Sequence, residues 1–148
     1  MKVIQIDRYD DAALDAMNEL LPQLSARHGP LSARRLREII NSESTHLLMA
    51  EENGVYIGCL TLVVFRIPTA VRARLEDIVV QESARRRGVG QALVLQAVAT
   101  AGTLGADAVE LTSHPSRQAA IHLYRKLGFE VRTTNVYRRS VAGKPPTM

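Results

Sequence analysis

Hydrophobic and polar residues follow two different periods along this chain, and each period predicts a different kind of element. Short apolar or alternating segments predict strands, whereas apolar residues spaced three and four apart predict helices that pack through one side. The predicted strands are Lys2–Ile6, His46–Glu51, Val55–Phe65, Arg74–Gln81, Ala108–Thr112, Phe129–Arg132 and Asn135–Val141. The predicted helices begin at Asp10 or Asp11 and at Ser32, and cover Gln91–Leu104 and Ser116–Leu127. This order predicts a mixed α/β domain built on one central sheet.

Local signals define the ends of several elements. Ser32 has the side chain of a helix N-cap, and Pro22 is expected to end or kink the first helix. The Glu-Asn-Gly sequence at 52–54 predicts a hairpin turn. A loop that contains Pro68 is predicted over Arg66–Ala73.

The predicted helix Gln91–Leu104 has a single polar stripe, formed by Gln96, Thr100 and Thr103. We therefore expect most of its circumference to be buried. No repeat or long linker divides the chain, which predicts one domain over residues 1–142 and a disordered tail at 143–148.

Composition narrows the class of protein. No apolar run reaches the ~18–20 residues that cross a bilayer, and the first residues lack the apolar region of a signal peptide. Cys59 is the single cysteine, so neither an internal disulfide nor a metal cluster is expected. We therefore expect a cytoplasmic protein that binds no membrane and no metal.

The net charge of +4 favours an anionic ligand, which could be a nucleic acid, a membrane surface or a polyphosphate cofactor. Four tyrosines, two phenylalanines and no tryptophan are scattered along the chain, which argues against a base-stacking surface and hence against nucleic acid. Charge alone does not choose among these ligands.

A glycine-containing loop carries the strongest functional signal. It follows the predicted strand Arg74–Gln81 and contains three consecutive arginines and two glycines before a helix begins. The N–H groups of a helix N-terminus attract phosphate, glycine lets the backbone approach closely, and arginine adds charge-assisted hydrogen bonds. The pattern predicts a diphosphate site, and the alternative is a solvated basic turn. Neither the Walker pattern nor the dinucleotide fingerprint fits, since Leu93 occupies the third glycine position of the latter.

Two motifs together resemble those of the GNAT acetyltransferase superfamily. Arg85-Arg86-Arg87-Gly88-Val89-Gly90 is similar to the family's acetyl-CoA-binding pattern Q/R-x-x-G-x-G/A. The segment 120–129, which includes Tyr124, is similar to the family's A-x-x-L-Y-x-K-x-G-F signature. The order of the predicted elements is also the family's order.

The resemblance implies a mixed sheet of about seven strands flanked by about four helices, and acetyl-CoA as the acetyl donor. It implies that the diphosphate binds the amides from Arg86 to Gln91. The pantetheine arm would lie against Ile78–Val80, where the N–H of Val80 would donate to the acetyl carbonyl. Arg117 stands where the family often has a cofactor-binding asparagine. The implied cofactor-binding residues are Ile78, Val79, Val80, Arg85, Arg86, Arg87, Gly88, Val89, Gly90, Gln91 and Arg117.

Tyr124 is the candidate donor of a proton to the leaving thiolate. A phenol with an ordinary pKa of about 10 is protonated at neutral pH and can still give up its proton. The alternative is that Tyr124 only packs in the core, because it shares a helix face with Ala120, Leu123 and Leu127.

Glu76 is the candidate general base. Strict alternation along the strand would turn Glu76, Ile78 and Val80 to one face and Asp77 to the other. The alternative is an ion pair between Glu76 and Arg74 or Arg72. The sequence around these acids is also similar to a strand of glucosamine-phosphate acetyltransferases, which points to an amino sugar as one acceptor.

The sequence thus predicts an N-acetyltransferase that passes the acetyl group of acetyl-CoA to a small amine by direct attack. One alternative is a protein lysine or N-terminal acetyltransferase, which needs an open groove. Another is a non-catalytic module that uses the 85–87 arginines to bind acyl-CoA or nucleic acid. The last predicted strand, Asn135–Val141, could pair two copies in a homodimer.

Overall fold

The structure, a computed structural model, describes residues 1–26 and 28–143. Five strands and four α-helices form there, in a mixed α/β arrangement that confirms the predicted fold class. The strands are β1 (Lys2–Gln5), β2 (Thr45–Glu52), β3 (Val55–Ile67), β4 (Ala70–Val80) and β5 (Ala108–Glu110). The helices are α1 (Asp11–Leu24), α2 (Ala33–Asn41), α3 (Val89–Thr103) and α4 (Gln118–Lys126), and a short 3₁₀ helix covers Glu82–Ala84.

The helix caps follow the sequence signals. The Asp10 carboxylate accepts a hydrogen bond from the N–H of Ala12 at 3.0 Å, and the Ser32 hydroxyl accepts one from Arg35 at 3.0 Å. Pro22 does not end α1, which continues to Leu24. A proline in the last turn removes one backbone hydrogen bond, and the packing of the helix compensates for that loss.

The sheet order is β1-β2-β3-β4-β5, with antiparallel pairs except for the parallel pair β4–β5. The predicted loop Arg66–Ala73 was wrong, because β3 and β4 pair up to Ile67 and Ala70. Pro68 and Thr69 alone form the turn between them. Charged residues such as those at 66, 72 and 74 are typical of a loop, but here they belong to two paired strands of a hairpin.

The predicted count of seven strands was also wrong. Phe129–Arg132 and Asn135–Val141 form no strand. Apart from the partly buried Phe129, their apolar side chains lie in solvent, with Val131 77%, Val136 77%, Tyr137 91% and Val141 75% exposed. Residues 144–148, most of the predicted tail, lie outside the described residues.

Helices cover both faces of the sheet. One core cluster lies between α3 and the sheet, and a second lies between α1, α2 and the opposite face. The expectation that most of α3 is buried was wrong, since Leu95 and Val98 are exposed. The helix meets the sheet through one side, and no further layer of described residues covers the other. Within the described ranges, no helix is long and apolar enough to span a bilayer.

Candidate active site

The strands β4 and β5 separate before β4 ends, which opens a gap at the centre of the site. Their last paired residues are Arg74 and Glu110, whereas β4 continues to Val80. The N–H of Gln81 donates to Ile57 on β3 at 2.8 Å. Because neighbouring residues of a strand direct their N–H groups to opposite sides, the N–H of Val80 faces the gap. Among the described residues, nothing pairs with this edge in the second half of β4.

A β-bulge interrupts β4 within this segment. Thr61 pairs with Glu76 and Cys59 with Val79, so that Asp77 and Ile78 together oppose a single residue of β3. Asp77 adopts a left-handed conformation with φ of 48°. A bulge of this kind shifts the alternation of side chains by one residue.

Because of this shift, the Glu76 side chain lies on the opposite face of the sheet from the one predicted. Leu75 lies in the α3 cluster together with Ile78 and Val80. Glu76 lies opposite Thr61 on the face that α1 and α2 cover, and Asp77 is turned to that same face. The prediction that Glu76 shares a face with Val80 was therefore wrong.

Glu76 is held by an ion pair on the strand surface. Its Oε1 lies 3.0 Å from the Arg74 Nη2 and accepts a hydrogen bond from Nε at 3.1 Å. The two side chains are 45% and 40% exposed. This is the ion pair that the sequence had left open as the alternative to a catalytic role.

Asp77 lies at the wall of a cavity of about 600 Å³ between β4 and the connection of α1 to α2. Burial raises the pKa of this carboxyl, and the nearby charge of Glu76 raises it further, while His28 opposes the shift. Sequence reasoning missed Asp77 as a site residue because alternation turned it to the other face. Aspartate tolerates the left-handed conformation better than most residues, and that tolerance was the available signal.

The loop before α3 exposes its backbone N–H groups. Arg86 and Gly88 adopt left-handed conformations with φ of 64° and 82°, and α3 begins directly afterwards at Val89. Among the described residues, no hydrogen-bond acceptor faces the N–H groups of 86–91. Successive N–H groups in such a turn form a concave anion-binding nest. The predicted diphosphate position is thus open, and binding there stays a prediction.

The three arginines of the loop have different partners. The Arg85 Nε donates to the carbonyl of Val80 at 3.1 Å, which fixes the end of β4. The Arg87 Nη2 contacts Glu52 Oε1 at 2.5 Å, and this hydrogen bond lowers the pKa of Glu52. Arg86 is exposed. It is therefore the arginine best placed to meet a phosphate.

The remaining predicted cofactor residues contribute through different groups. The side chains of Val79 and Val89 are buried in the two core clusters, so only their backbone can meet a ligand. The Gln91 Oε1 accepts a hydrogen bond from the Lys126 Nζ at 3.4 Å. A β-carbon added at Gly90 would lie 3.5 Å from Leu123 and 3.7 Å from Val80. The second turn of α4 therefore lies beside the start of α3 and the end of β4.

Tyr124 is half-buried on α4 against the α3 cluster. Its ring packs edge-on against Phe129, with ring centroids 6.0 Å apart. Burial raises the pKa of the phenol, and the positive charge of Arg117, the N-cap residue of α4, opposes this shift. The phenol is therefore protonated at neutral pH, as a proton donor requires.

The chain beyond β5 carries two further polar groups. The hydroxyl oxygen of Ser113 is buried and has no hydrogen-bond partner among the described residues. The neighbouring His114 accepts a hydrogen bond from the Ser116 N–H at 3.1 Å and closes the turn before α4. An unpaired buried hydroxyl is costly in free energy, so a polar ligand that reached Ser113 would stabilise it.

Comparison with known proteins agrees with this architecture. A model of the acetyltransferase (GNAT) family matches residues 13–129. The chain is 31% identical over 133 residues to a mycothiol acetyltransferase of Mycobacteroides abscessus, covering 87% of this chain and 43% of that protein. It is 40% identical over 55 residues to an uncharacterized N-acetyltransferase of Bacillus subtilis, covering 37% of this chain and 36% of that protein. The chain thus spans less than half the length of the curated relatives it matches.

Two solved structures share the fold. A putative acetyltransferase from Agrobacterium tumefaciens superposes with a TM-score of 0.84 at 22% identity, covering 95% of this chain and all of that one. An aminoglycoside N-acetyltransferase in complex with CoA superposes with a TM-score of 0.79 at 21% identity, covering 94% and 93% of the two chains. At this level of identity the likeness concerns the fold alone.

Proposed function

Since the chain belongs to the GNAT acetyltransferase family, we propose that it binds acetyl-CoA and transfers the acetyl group to the amine of a small acceptor. One observation carries the proposal. The open edge of β4 leads directly to a loop whose N–H groups at 86–91 have no acceptor among the described residues. A strand edge beside an anion-binding nest suits a ligand with an amide-bearing arm and a diphosphate.

The open edge of β4 determines where acetyl-CoA would lie. The diphosphate would bind the N–H groups between Arg86 and Gln91, and the arm would run along the gap past Val80. The N–H of Val80 would then donate to the acetyl carbonyl. Such a donor is worth about 10²–10³ in rate.

Asp77 is the better candidate for the base than Glu76. It faces the cavity, whereas Glu76 is held by Arg74. Asp77 and Val80 are three residues apart, about 10 Å along the strand, which leaves room for the acetyl group and the attacking amine between them. A raised pKa also makes a carboxylate a stronger base.

The proposed transfer is one direct attack. The ammonium group of the acceptor first loses one proton to solvent. The neutral amine nitrogen then bonds to the acetyl carbonyl carbon as the carbon–sulfur bond breaks. Asp77 accepts the proton that the nitrogen loses, and Tyr124 gives its phenolic proton to the departing thiolate. Solvent restores both groups. Holding the two reactants together supplies much of the rate enhancement.

The cavity supports a small acceptor over a protein substrate. Residues 28–32, between α1 and α2, form one wall of it. A folded protein that presents a lysine needs a groove open at both ends, and this wall closes one side.

Acetyl-CoA binding is tested by thermal unfolding. A ligand at about 100 times its Kd adds about 2.7 kcal/mol to the free energy of unfolding, which raises Tm by roughly 5–10 °C here. Adenosine, which lacks both diphosphate and arm, is the control and should leave Tm almost unchanged. No shift with acetyl-CoA, together with oligonucleotide binding that weakens steeply with salt, would instead favour a nucleic-acid module.

A further inference from the structure

The cavity beside Asp77 has a mixed lining, in which seven of the thirteen described residues have apolar side chains and Ser32, Thr61, His28 and Arg35 add polar ones. The apolar side chains of α1, α2 and their connection include Met17, Leu21, Leu31, Leu36 and Ile39. Leu47 on β2 continues the apolar surface under the site. Pockets of about 300–1,000 Å³ enclose most of a small organic molecule, so a cavity of about 600 Å³ is large enough for the whole acceptor.

Charged groups are distributed unevenly around this cavity. Among the described lining residues Asp77 is the single carboxylate, whereas Arg35 and His28 are basic, and His28 is near enough for its charge to act on the Asp77 carboxyl. An ammonium group beside Asp77 is favourable, but a second one deeper in the cavity would meet apolar carbon or the Arg35 guanidinium. An unpaired buried charge is costly.

The wall opposite β4 is fixed by hydrogen bonds. The Asn18 side chain on α1 accepts from the Leu31 N–H at 2.7 Å and donates to the Leu31 carbonyl at 3.0 Å. This double contact holds the apolar side of the cavity in one position. The cavity is therefore preformed, and its shape can select among acceptors.

We infer that the acceptor is a primary amine with a single positive charge on an apolar body, whose ammonium group binds Asp77 while the body fills the cavity of α1 and α2. The inference rests on the proposed function and names the substrate class of that site. The inferred acceptor differs from aminoglycosides, which carry several positive charges and appear in the name of one structural neighbour. It also departs from the amino sugar suggested by the strand sequence. Among the described lining residues Ser32 and Thr61 alone carry hydroxyl groups, so most hydroxyl groups of a sugar would meet apolar side chains.

The test compares hexylamine with 1,6-diaminohexane, a pair that differs by the second charge. Neamine and glucosamine 6-phosphate complete the set of acceptors. Release of free thiol from acetyl-CoA gives kcat/KM, and the rise in Tm with each amine gives binding without turnover. We expect kcat/KM for hexylamine to be at least tenfold higher than for the diamine. It should also be higher than for neamine and for glucosamine 6-phosphate.

Two variants locate the effect. Asp77→Asn should lower kcat/KM for hexylamine at least tenfold and abolish the Tm shift by hexylamine, while stabilisation by acetyl-CoA is unchanged. Asp15→Asn, which removes an exposed carboxylate from α1, is the matched control and should behave as the parent chain. Ile39→Asp adds a second carboxylate to the cavity. This variant should raise kcat/KM for 1,6-diaminohexane relative to kcat/KM for hexylamine.

The possible failures are distinguishable. Equal or better turnover of the diamine, neamine or glucosamine 6-phosphate overturns the inferred acceptor class and leaves acetyl-CoA binding intact. The same holds if acetyl-CoA stabilises the chain and hexylamine neither binds nor reacts. Absence of stabilisation by acetyl-CoA overturns the proposed function, and the inferred class falls with it.

Discussion

At the scale of single residues, the site is built around backbone conformations that side chains ordinarily avoid. Asp77 and Arg86 both have positive φ, at 48° and 64°. Such a conformation costs a non-glycine residue about 1–2 kcal/mol. At Asp77 the cost accompanies a bulge that turns its carboxylate toward the cavity beneath α1 and α2. At Arg86 it accompanies the N–H groups that face the predicted diphosphate.

The two glycines of the loop should respond differently to alanine. Gly88 has φ of 82° with no atom within 4 Å of an added β-carbon, so Gly88→Ala strains only the backbone. We expect a loss of about 1–2 kcal/mol in stability and weaker acetyl-CoA binding as the loop relaxes. Gly90→Ala meets Leu123 and Val80 at ordinary contact distances and should retain binding. Isothermal titration and thermal unfolding of both variants check this, and equal affinities would argue against the nest.

Tyr124→Phe separates proton transfer from packing. The edge-on contact with Phe129 and the burial of the ring persist without the hydroxyl, so Tm should change little. We expect kcat to fall by about 10²-fold or more, with KM for acetyl-CoA nearly constant. Steady-state kinetics of thiol release measures both. Unchanged turnover would make Tyr124 a packing residue.

At the scale of elements, the sequence predicted what depends on local signals. The Ser32 cap, the hairpin turn at 52–54 and the strand–loop–helix order around Gly88 are all encoded within a few residues. The bulge at Asp77 is not, because it arises from the register between β3 and β4. The alternation predicted across the bulge therefore failed for Glu76, whereas Asp77 does lie on the face opposite Val80. Glu76 was preferred to Asp77 because it was expected to share the face of Val80. The prediction that most of α3 is buried also failed, because an apolar helix surface does not reveal whether another layer covers it.

The connection between α1 and α2 should control acceptor binding through Asn18. Asn18→Ala removes both hydrogen bonds to Leu31, each worth about 0.5–1.5 kcal/mol. We expect a stability loss of about 1–3 kcal/mol and a raised KM for the amine, with unchanged affinity for acetyl-CoA. Chemical denaturation and kinetics are the measurements.

Arg34→Ala is the matched control, because its exposed ion pair with Glu38 is worth less than about 0.5 kcal/mol. A KM for the amine that moves equally in both variants would show that the wall at Leu31 has no special role.

At the scale of the whole molecule, the gap lies along the edge of β4, and the cavity lies over the sheet face that holds Asp77. The loop before α3 follows the end of β4, and α1 and α2 cover the face that holds Asp77. The proposed donor and acceptor would therefore approach the same stretch of backbone from different directions. The cytoplasmic location and the homodimer expected from the sequence both stay predictions.

The homodimer prediction concerns the segment after α4. Residues 129–141 expose Val131, Val136 and Tyr137, and β5 has a free edge in the sheet order. An apolar segment with unpaired backbone beside an open edge favours strand pairing, and two copies could provide it reciprocally. We expect light scattering to give about twice the 16.3 kDa mass of one chain. Val136→Lys should shift the protein to the monomer and leave stabilisation by acetyl-CoA unchanged, since the Val136 side chain is exposed and supports no part of the core. A monomeric parent chain at all concentrations would contradict the pairing.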